Sequence, residues 1–434
     1  MSRQVVNLFI SKSLSQNAMT LPVSAIILYR HGLTFSMTPD YSIYFHIPFC
    51  THRCAYCDFN TYAGQESLIP AYVDALGKEI EFIGDSLSQR SPLRSEGEAH
   101  TVFFGGGTPS LLTPRQFEFV FEIMRNNFIL TEDAEITIEA NPGTISYEDL
   151  VELYRVGINR ISYGVQSANM EELRMLERIH DFFDVIHAVR SARKAGFRNL
   201  NLDLIYGLPE QTLPTWQISV NRILDLSPEH ISAYALTLEH GTPFGRWASK
   251  GLLPLPDPDL AADMYEWLSE TLEANGYVQY EISNWAKSGY ECRHNLQYWR
   301  GLPYLAFGAG AHGYANGYRY SNVLRIKTYI DRLASLDTRI SNIEFPLSPT
   351  TVNGHRQTLQ EDMSEFMMTG LRLTQAGVSE DEFQERFSQS MHSVYGKEID
   401  ELLKLGLIEN GTESKLKITR RGRLLGNQVF MRFV

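Results

Sequence analysis

Apolar and polar residues alternate over residues 41–46, and the run closes on Ile47 and Pro48, which predicts a strand leading into a loop. Tyr72, Leu76, Ile80, Ile83 and Leu87 then recur at helical spacing, with Lys78, Glu79 and Glu81 on other faces. Residues 101–104 are a short apolar run stopped by Gly105, Gly106 and Gly107. Thr113 and Pro114 open a helix carrying Phe117, Val120, Phe121 and Met124. Residues 135–139 read as a strand halted at Asn141, Pro142 and Gly143, and Ser146 is placed to cap the next helix. Three more strands are expected at 160–165, 199–205 and 230–234, separated by helical stretches near 183–195 and 214–226.

Strands alternating with helices imply a parallel sheet with right-handed crossovers. Six such units predict an α/β fold, an incomplete (β/α)6 barrel, with residues 277–283 as a candidate extension of the sheet. An open doubly wound sheet is the alternative, which periodicity does not exclude. The chain then changes character. Helices expected near 363–373, 379–387 and 397–405, followed by apolar runs at 406–408 and 416–419, predict a small C-terminal winged-helix-like domain. Its basic edge, Lys415, Lys417, Arg420, Arg421 and Arg423, reads as a solvated face or a docking edge for an acidic partner.

The bulk numbers narrow this picture. A chain of 434 residues, 43% hydrophobic and 21% charged, suits one large domain with an appendage. The formal net charge of −12 argues against nucleic acid as the main partner. No apolar run reaches the ~18–20 residues of a membrane helix. Residues 1–36 lack acidic side chains and resemble a transit peptide or, faintly, a signal segment. Met37, just before the first strand, favours an over-called start. Domain boundaries are therefore expected at 37–285 for the barrel, 286–354 for a connecting region and 355–434 for the winged-helix-like domain.

Three of the four cysteines, Cys50, Cys54 and Cys57, fall within eight residues, in a C-x3-C-x2-C spacing. So short a loop wraps one small centre, and three thiolates can hold three irons of a [4Fe–4S] cube while leaving the fourth open. A zinc site completed by His46 or His52, and buried free thiols, are the competing readings. A reducing compartment fits this usage. The loop follows the first strand, the glycine run follows the second, and Glu139, Gln166 and Asp203 close later ones. In parallel α/β folds these ends converge on one site. The glycines allow close backbone approach by a ligand, or simply a tight turn.

In combination, the segment from Tyr44 to Cys50, the stretch 105–110, the run from Glu139 to Gly143, and stretches 160–167 and 201–209 resemble the oxygen-independent coproporphyrinogen III oxidase-like branch of the radical S-adenosylmethionine (SAM) proteins. The resemblance implies that Cys50, Cys54 and Cys57 ligate a [4Fe–4S] cluster whose open iron is chelated by SAM. It implies that Tyr44, Gly107 and Glu139 contact SAM. It further implies that Tyr56, Thr108, Gln166, Arg178 and Asp203 line the second SAM site of the oxidase members.

The oxidases carry a fourth cysteine two residues after the third, where this chain has Phe59. Phe59 and the downstream H-N-x-x-Y-W segment (His294, Asn295, Tyr298, Trp299) resemble instead the HemW branch, the haem chaperones. That resemblance implies haem as a further cofactor and His294 as its candidate ligand. An aromatic core cluster around a hydrogen-bonded histidine is the alternative. Cys292 reads as a free thiol, with a thiolate ligand or a fourth cluster ligand as the alternatives, and His312 is a minor candidate. The expectation is a cytoplasmic haem chaperone with no assigned catalytic residue. Its partners are haem, a haem-accepting protein and an electron donor such as flavodoxin or ferredoxin, with membrane contact only through the recipient. The rival is an oxygen-independent coproporphyrinogen III dehydrogenase.

Overall fold

The computed structural model describes residues 41–90, 97–335 and 343–434. The leader expectation lies outside the described residues. Six strands stand where the alternation predicted them: β1 (Tyr41–Ile47), β2 (Ala99–Gly106), β3 (Leu130–Ala140), β4 (Arg160–Gln166), β5 (Asn199–Tyr206) and β6 (His230–Ala235). Each pairs in parallel with the next in sequence. The order never reverses, so right-handed crossovers place every helix on one face and the sheet curls into a barrel. A doubly wound sheet would need a switch point, and there is none in this run.

The sheet is larger than six strands. Four further strands follow at one edge: β9 (Tyr304–Phe307), β10 (His312–Ala315), β11 (Tyr318–Asn322) and β12 (Thr351–Arg356). β9 lies parallel to β1 and the other three are antiparallel. At the other edge β7 (Val278–Glu281) does extend the sheet, but through the intervening β8 (Asn284–Ala286), antiparallel to β6. The strands within residues 286–354 thus add to the barrel sheet.

The two-residue period of the strands separates core from site. Ile43, Phe45, Val102, Phe104, Ile138, Ile161, Leu202 and Ile231 point outward into one apolar core beneath the helices. Phe45 stacks between Phe104 and Phe307 at ring-centroid distances of 4.8 and 5.3 Å. Each such side chain, fully buried, contributes roughly 1.5–3 kcal/mol. The intervening positions, Ser42, Thr101, Thr137, Arg160, Ser162, Asn201, His230 and Ser232, are equally buried yet polar. An interior this polar is a binding surface, because each such group loses water on folding and must find a partner.

The helix signals hold at the places read from sequence. Thr113 and Gln116 form a reciprocal capping box before Pro114, and the Ser146 side chain accepts from the Asp149 amide at 3.0 Å. The C-terminal unit has its own core around Met367, Phe383, Ile399 and Leu402. Helices Leu359–Gly370, Glu380–Phe387 and Met391–Lys404 pack there with a three-stranded sheet whose middle strand is Lys415–Ile418. Part of its basic edge faces the barrel. Arg420 lies 3.1 Å from Glu273 and 3.9 Å from Glu270, and Arg423 donates to Gln279 at 2.6 Å. Among the described residues no helix is long and apolar enough to cross a membrane.

Candidate cluster and cofactor site

The cysteine loop leaves β1 and folds back on it. Phe49–Cys50 pairs with Tyr62–Ala63, and the Tyr62 amide donates to Pro48 O at 2.8 Å. Each sulfur then meets a hydroxyl or guanidinium. Thr108 Oγ1 donates to Cys50 Sγ at 3.6 Å, Arg178 Nη1 donates to Cys54 Sγ at 3.6 Å, and Thr61 Oγ1 lies 3.9 Å from Cys57 Sγ. Burial raises the Cys50 thiol and pushes Cys57 up to about 11, so ligation must displace protons. The zinc alternative does not fit. Among the described residues no three His, Cys, Asp or Glu are grouped to hold a single metal ion. His46 engages Tyr44 OH and Asn60 O through its two ring nitrogens, at 3.0 Å each, while His52 binds Glu177 at 3.1 Å. Three sulfurs, each with a donor, around a shared cavity suit a cluster that presents one iron to each.

The glycine run has a packing cause. Gly106 sits at φ +110°, and a Cβ there would come within 2.5 Å of the His46 ring. A Cβ on Gly107 would meet Phe49 O at 2.5 Å, where the Gly107 amide donates to Ile47 O at 2.8 Å. The next amide, of Thr108, reaches Phe49 O at 2.7 Å, so this turn is stitched to the cysteine loop. Gly106 N also donates to Glu139 Oε2 at 3.1 Å.

Arg178 ties the far side. Its Nη2 donates to Asn141 Oδ1 at 2.5 Å and to Gly164 O at 2.6 Å. Asn141 Nδ2 donates in turn to Thr108 Oγ1 at 3.2 Å. A continuous path therefore runs from Cys50 through Thr108, Asn141 and Arg178 to Cys54. Gln166 ends β4 at φ +69°, a left-handed conformation unusual for this residue type and a mark of functional sites. Asp203 accepts from Ser162 at 3.0 Å and from Asn201 at 2.7 Å.

These elements surround one open cavity at the strand ends. Cys50, Cys54, Tyr56, Cys57, Gly107, Thr108, Glu139, Gln166, Arg178 and Asp203 all line it. Tyr44 and His294, expected at the site, are not on its wall. Tyr44 bonds His46 and stacks beside Phe103 at 6.3 Å, one layer behind it. Sequence reasoning gave no site role to Asn141, Thr61, or the floor residues Arg160, Asn201, Ser232, Tyr234 and Asn295. A charged residue opening an otherwise apolar strand was the available sign for Arg160.

The surroundings of His294 are those of an aromatic cluster around a hydrogen-bonded histidine. It is 1% exposed, with Nδ1 2.7 Å from Thr101 Oγ1, Nε2 2.8 Å from Tyr298 OH, and its ring stacked on Phe103 at 5.1 Å. Neither nitrogen is open to iron, and burial holds the imidazole neutral, well below its usual pKa. The short helix Arg293–Trp299 plugs the barrel floor. Glu135 accepts from the amides of Arg293 and His294 at 3.1 Å each and from Cys292 Sγ at 3.4 Å. Cys292 is fully buried in that plug and does not line the cavity. Its thiol, pushed up to about 12 by burial, is free.

A three-cysteine loop after the first strand of an incomplete parallel barrel, with a polar interior at the strand ends, defines a radical SAM superfamily protein. The description of that superfamily matches residues 44–223, and that of the HemN C-terminal domain matches residues 357–425. A solved structure, coproporphyrinogen III oxidase (HemN) from Escherichia coli, aligns over 91% of this chain and 90% of that one, with a TM-score of 0.75 at 24% identity, which shows the shared fold. The Bacillus subtilis protein named "Heme chaperone HemW" is 41% identical over 394 residues, 91% of this chain and 99% of that protein. Its Escherichia coli namesake is 41% identical over 275 residues, 63% of this chain and 70% of that protein. The chain belongs to the HemW family.

Proposed function

We propose that this protein is a haem chaperone: it carries a [4Fe–4S] cluster on Cys50, Cys54 and Cys57, binds SAM in the adjoining cavity, takes up haem and passes it to a recipient protein. The observation that carries the cofactor part is the set of three thiols, each met by a different partner, around the cavity at the strand ends. The haem part rests on the name of the relatives. When bound, the cluster supplies one low-potential electron to a SAM sulfonium.

The chain's own residues do the rest. Arg178 and Thr108 fix two sulfurs from opposite sides through Asn141. Glu139, which accepts from the Gly106 amide, and Asp203 on β5 put carboxylates on the cavity wall, the chemistry that suits an ammonium or a ribose hydroxyl. Phe59 stands on the cavity wall where the oxidase pattern has its fourth cysteine, and Cys292 is sealed in the floor. The reading places the protein in the cytoplasm, with a flavodoxin or ferredoxin as electron donor.

The test uses one anaerobically reconstituted sample. About four irons per chain, saturable haem binding, haem delivery to an apo-acceptor and no conversion of coproporphyrinogen III are expected. Protoporphyrinogen formed at many turnovers per protein overturns the chaperone reading in favour of the dehydrogenase. Zinc in place of iron removes the cluster.

A further inference from the structure

Among the described residues the cavity wall carries the guanidinium groups of Arg53, Arg160 and Arg178. Arg178 is spent on Cys54 Sγ, Asn141 Oδ1 and Gly164 O, and Arg53 stands exposed on the cysteine loop. Arg160 differs from both. It opens β4, and the two-residue period puts it on the same interior face as Ser162, Gly164 and Gln166. It is 1% exposed, and its Nε meets no hydrogen-bond acceptor. Its guanidinium makes no hydrogen bond or ion pair with another described residue.

The polar groups around it are engaged elsewhere. Glu135 accepts from the Arg293 and His294 amides and from Cys292, while Asp203 accepts from Ser162 and Asn201. Both act on Arg160 only as charges at a distance. Ser162 and Ser232 each bond Asn201, which closes that wall on itself. A buried guanidinium without a partner is costly, so a fold that keeps one on a cavity wall holds it for a ligand. A water satisfies a single N–H, whereas a carboxylate matches the planar fork of donors with paired bonds.

The source of that carboxylate follows from depth. On the cluster reading the amino-acid end of SAM stays with the cysteine loop, at the mouth. Arg160 lies at the other end of its strand from Gln166, roughly 20 Å along the backbone and farther than an arginine side chain extends. A carboxylate at Arg160 therefore belongs to a second occupant. Under the haem-chaperone reading that occupant is haem, which carries propionates.

We propose that Arg160 is the seat of a haem propionate, a carboxylate subsite inside the barrel and apart from the cluster. This inference rests on the haem-chaperone reading and assigns a binding residue within it.

The test titrates the full chain, reconstituted with its cluster, with haem and with haem dimethyl ester, which lacks the carboxylates. Cluster iron, SAM affinity and the urea midpoint are recorded beside each titration. The wild type is expected to prefer haem over the ester roughly ten-fold or more. Arg160→Gln is expected to bind both alike, as weakly as the wild type binds the ester. Its iron and SAM affinity should be unchanged, and its urea midpoint equal or higher, because no protein partner is lost. Equal binding of haem and ester by the wild type overturns the proposal, and so does a preference that survives in Arg160→Gln. Weakened SAM binding with the preference retained also overturns it and gives Arg160 to SAM. Should Arg160→Gln not fold, Arg160→Lys decides: it keeps the charge and loses the fork, and an undiminished preference there overturns the site. A wild type that binds neither compound defeats the chaperone reading itself, whereas one that binds both alike removes only Arg160.

Discussion

The floor and the mouth of the barrel draw on the same residue types and treat them oppositely. At the floor, Cys292, His294 and Glu135 find one another or their neighbours, and all three side chains are buried. At the mouth, Cys50, Cys54, Cys57 and His52 are each given a partner that orients them, and each remains on a cavity wall. A motif of cysteine, histidine and aromatic residues looks alike in both places. What separates a plug from a site is whether the hydrogen bonding of the reactive atom is closed within the protein.

The largest effect that sharpens this contrast is at the mouth. On the proposed cluster reading Cys54→Ala removes one of three thiolates, and among the described residues no fourth cysteine lines the cavity, so the cluster iron is expected to be lost altogether. Iron and sulfide assays after anaerobic reconstitution measure it. Full iron content in the variant would mean another residue substitutes for Cys54.

At the floor the loss is of stability. His294→Ala leaves the Tyr298 hydroxyl without its partner and opens a space against Phe103, which together cost about 2–4 kcal/mol. The urea midpoint is expected to fall, while iron, SAM binding and haem affinity of the folded fraction stay as in the wild type. A changed Soret band would return His294 to the haem site and break the comparison. Glu135→Gln is the milder companion. It keeps one acceptor oxygen for the helix amides, and a loss of about 1–2 kcal/mol is expected by the same measurement.

Much of this was legible in sequence. The six strands showed themselves through alternation or short apolar runs, and the cysteine loop, Thr108, Glu139, Gln166 and Asp203 through their position at strand ends, because parallel sheets send those ends to one face. Tyr56 and Arg178 came only from the family resemblance. β9 was not legible: it is four residues long, and its parallel partner β1 lies more than 250 positions earlier, a pairing no local pattern encodes. Asn141 hid inside a turn signal, since Asn, Pro and Gly halt a strand whether or not the asparagine also bridges Arg178 and Thr108. The role of His294 was undecidable from spacing, because an imidazole among aromatic rings packs a core as readily as it faces a porphyrin.

The smallest effect concerns the floor thiol and pH. Burial pushes the Cys292 thiol up to about 12, against about 8.5 in an unfolded chain. Below pH 8.5 both states hold the proton and the residue contributes no pH dependence. Between 8.5 and 12 the folded state alone keeps it, so the folded state binds more protons and stability falls as pH rises. At pH 9.5 the loss is roughly 1.4 kcal/mol. Cys292→Ala abolishes that slope, so the stability difference between wild type and variant should narrow by this amount between pH 7 and 9.5. Urea unfolding of both proteins at the two pH values measures it. Parallel pH dependence would show that Cys292 ionises as freely in the folded protein as in the unfolded chain, and the floor would then be no more sealed than the mouth.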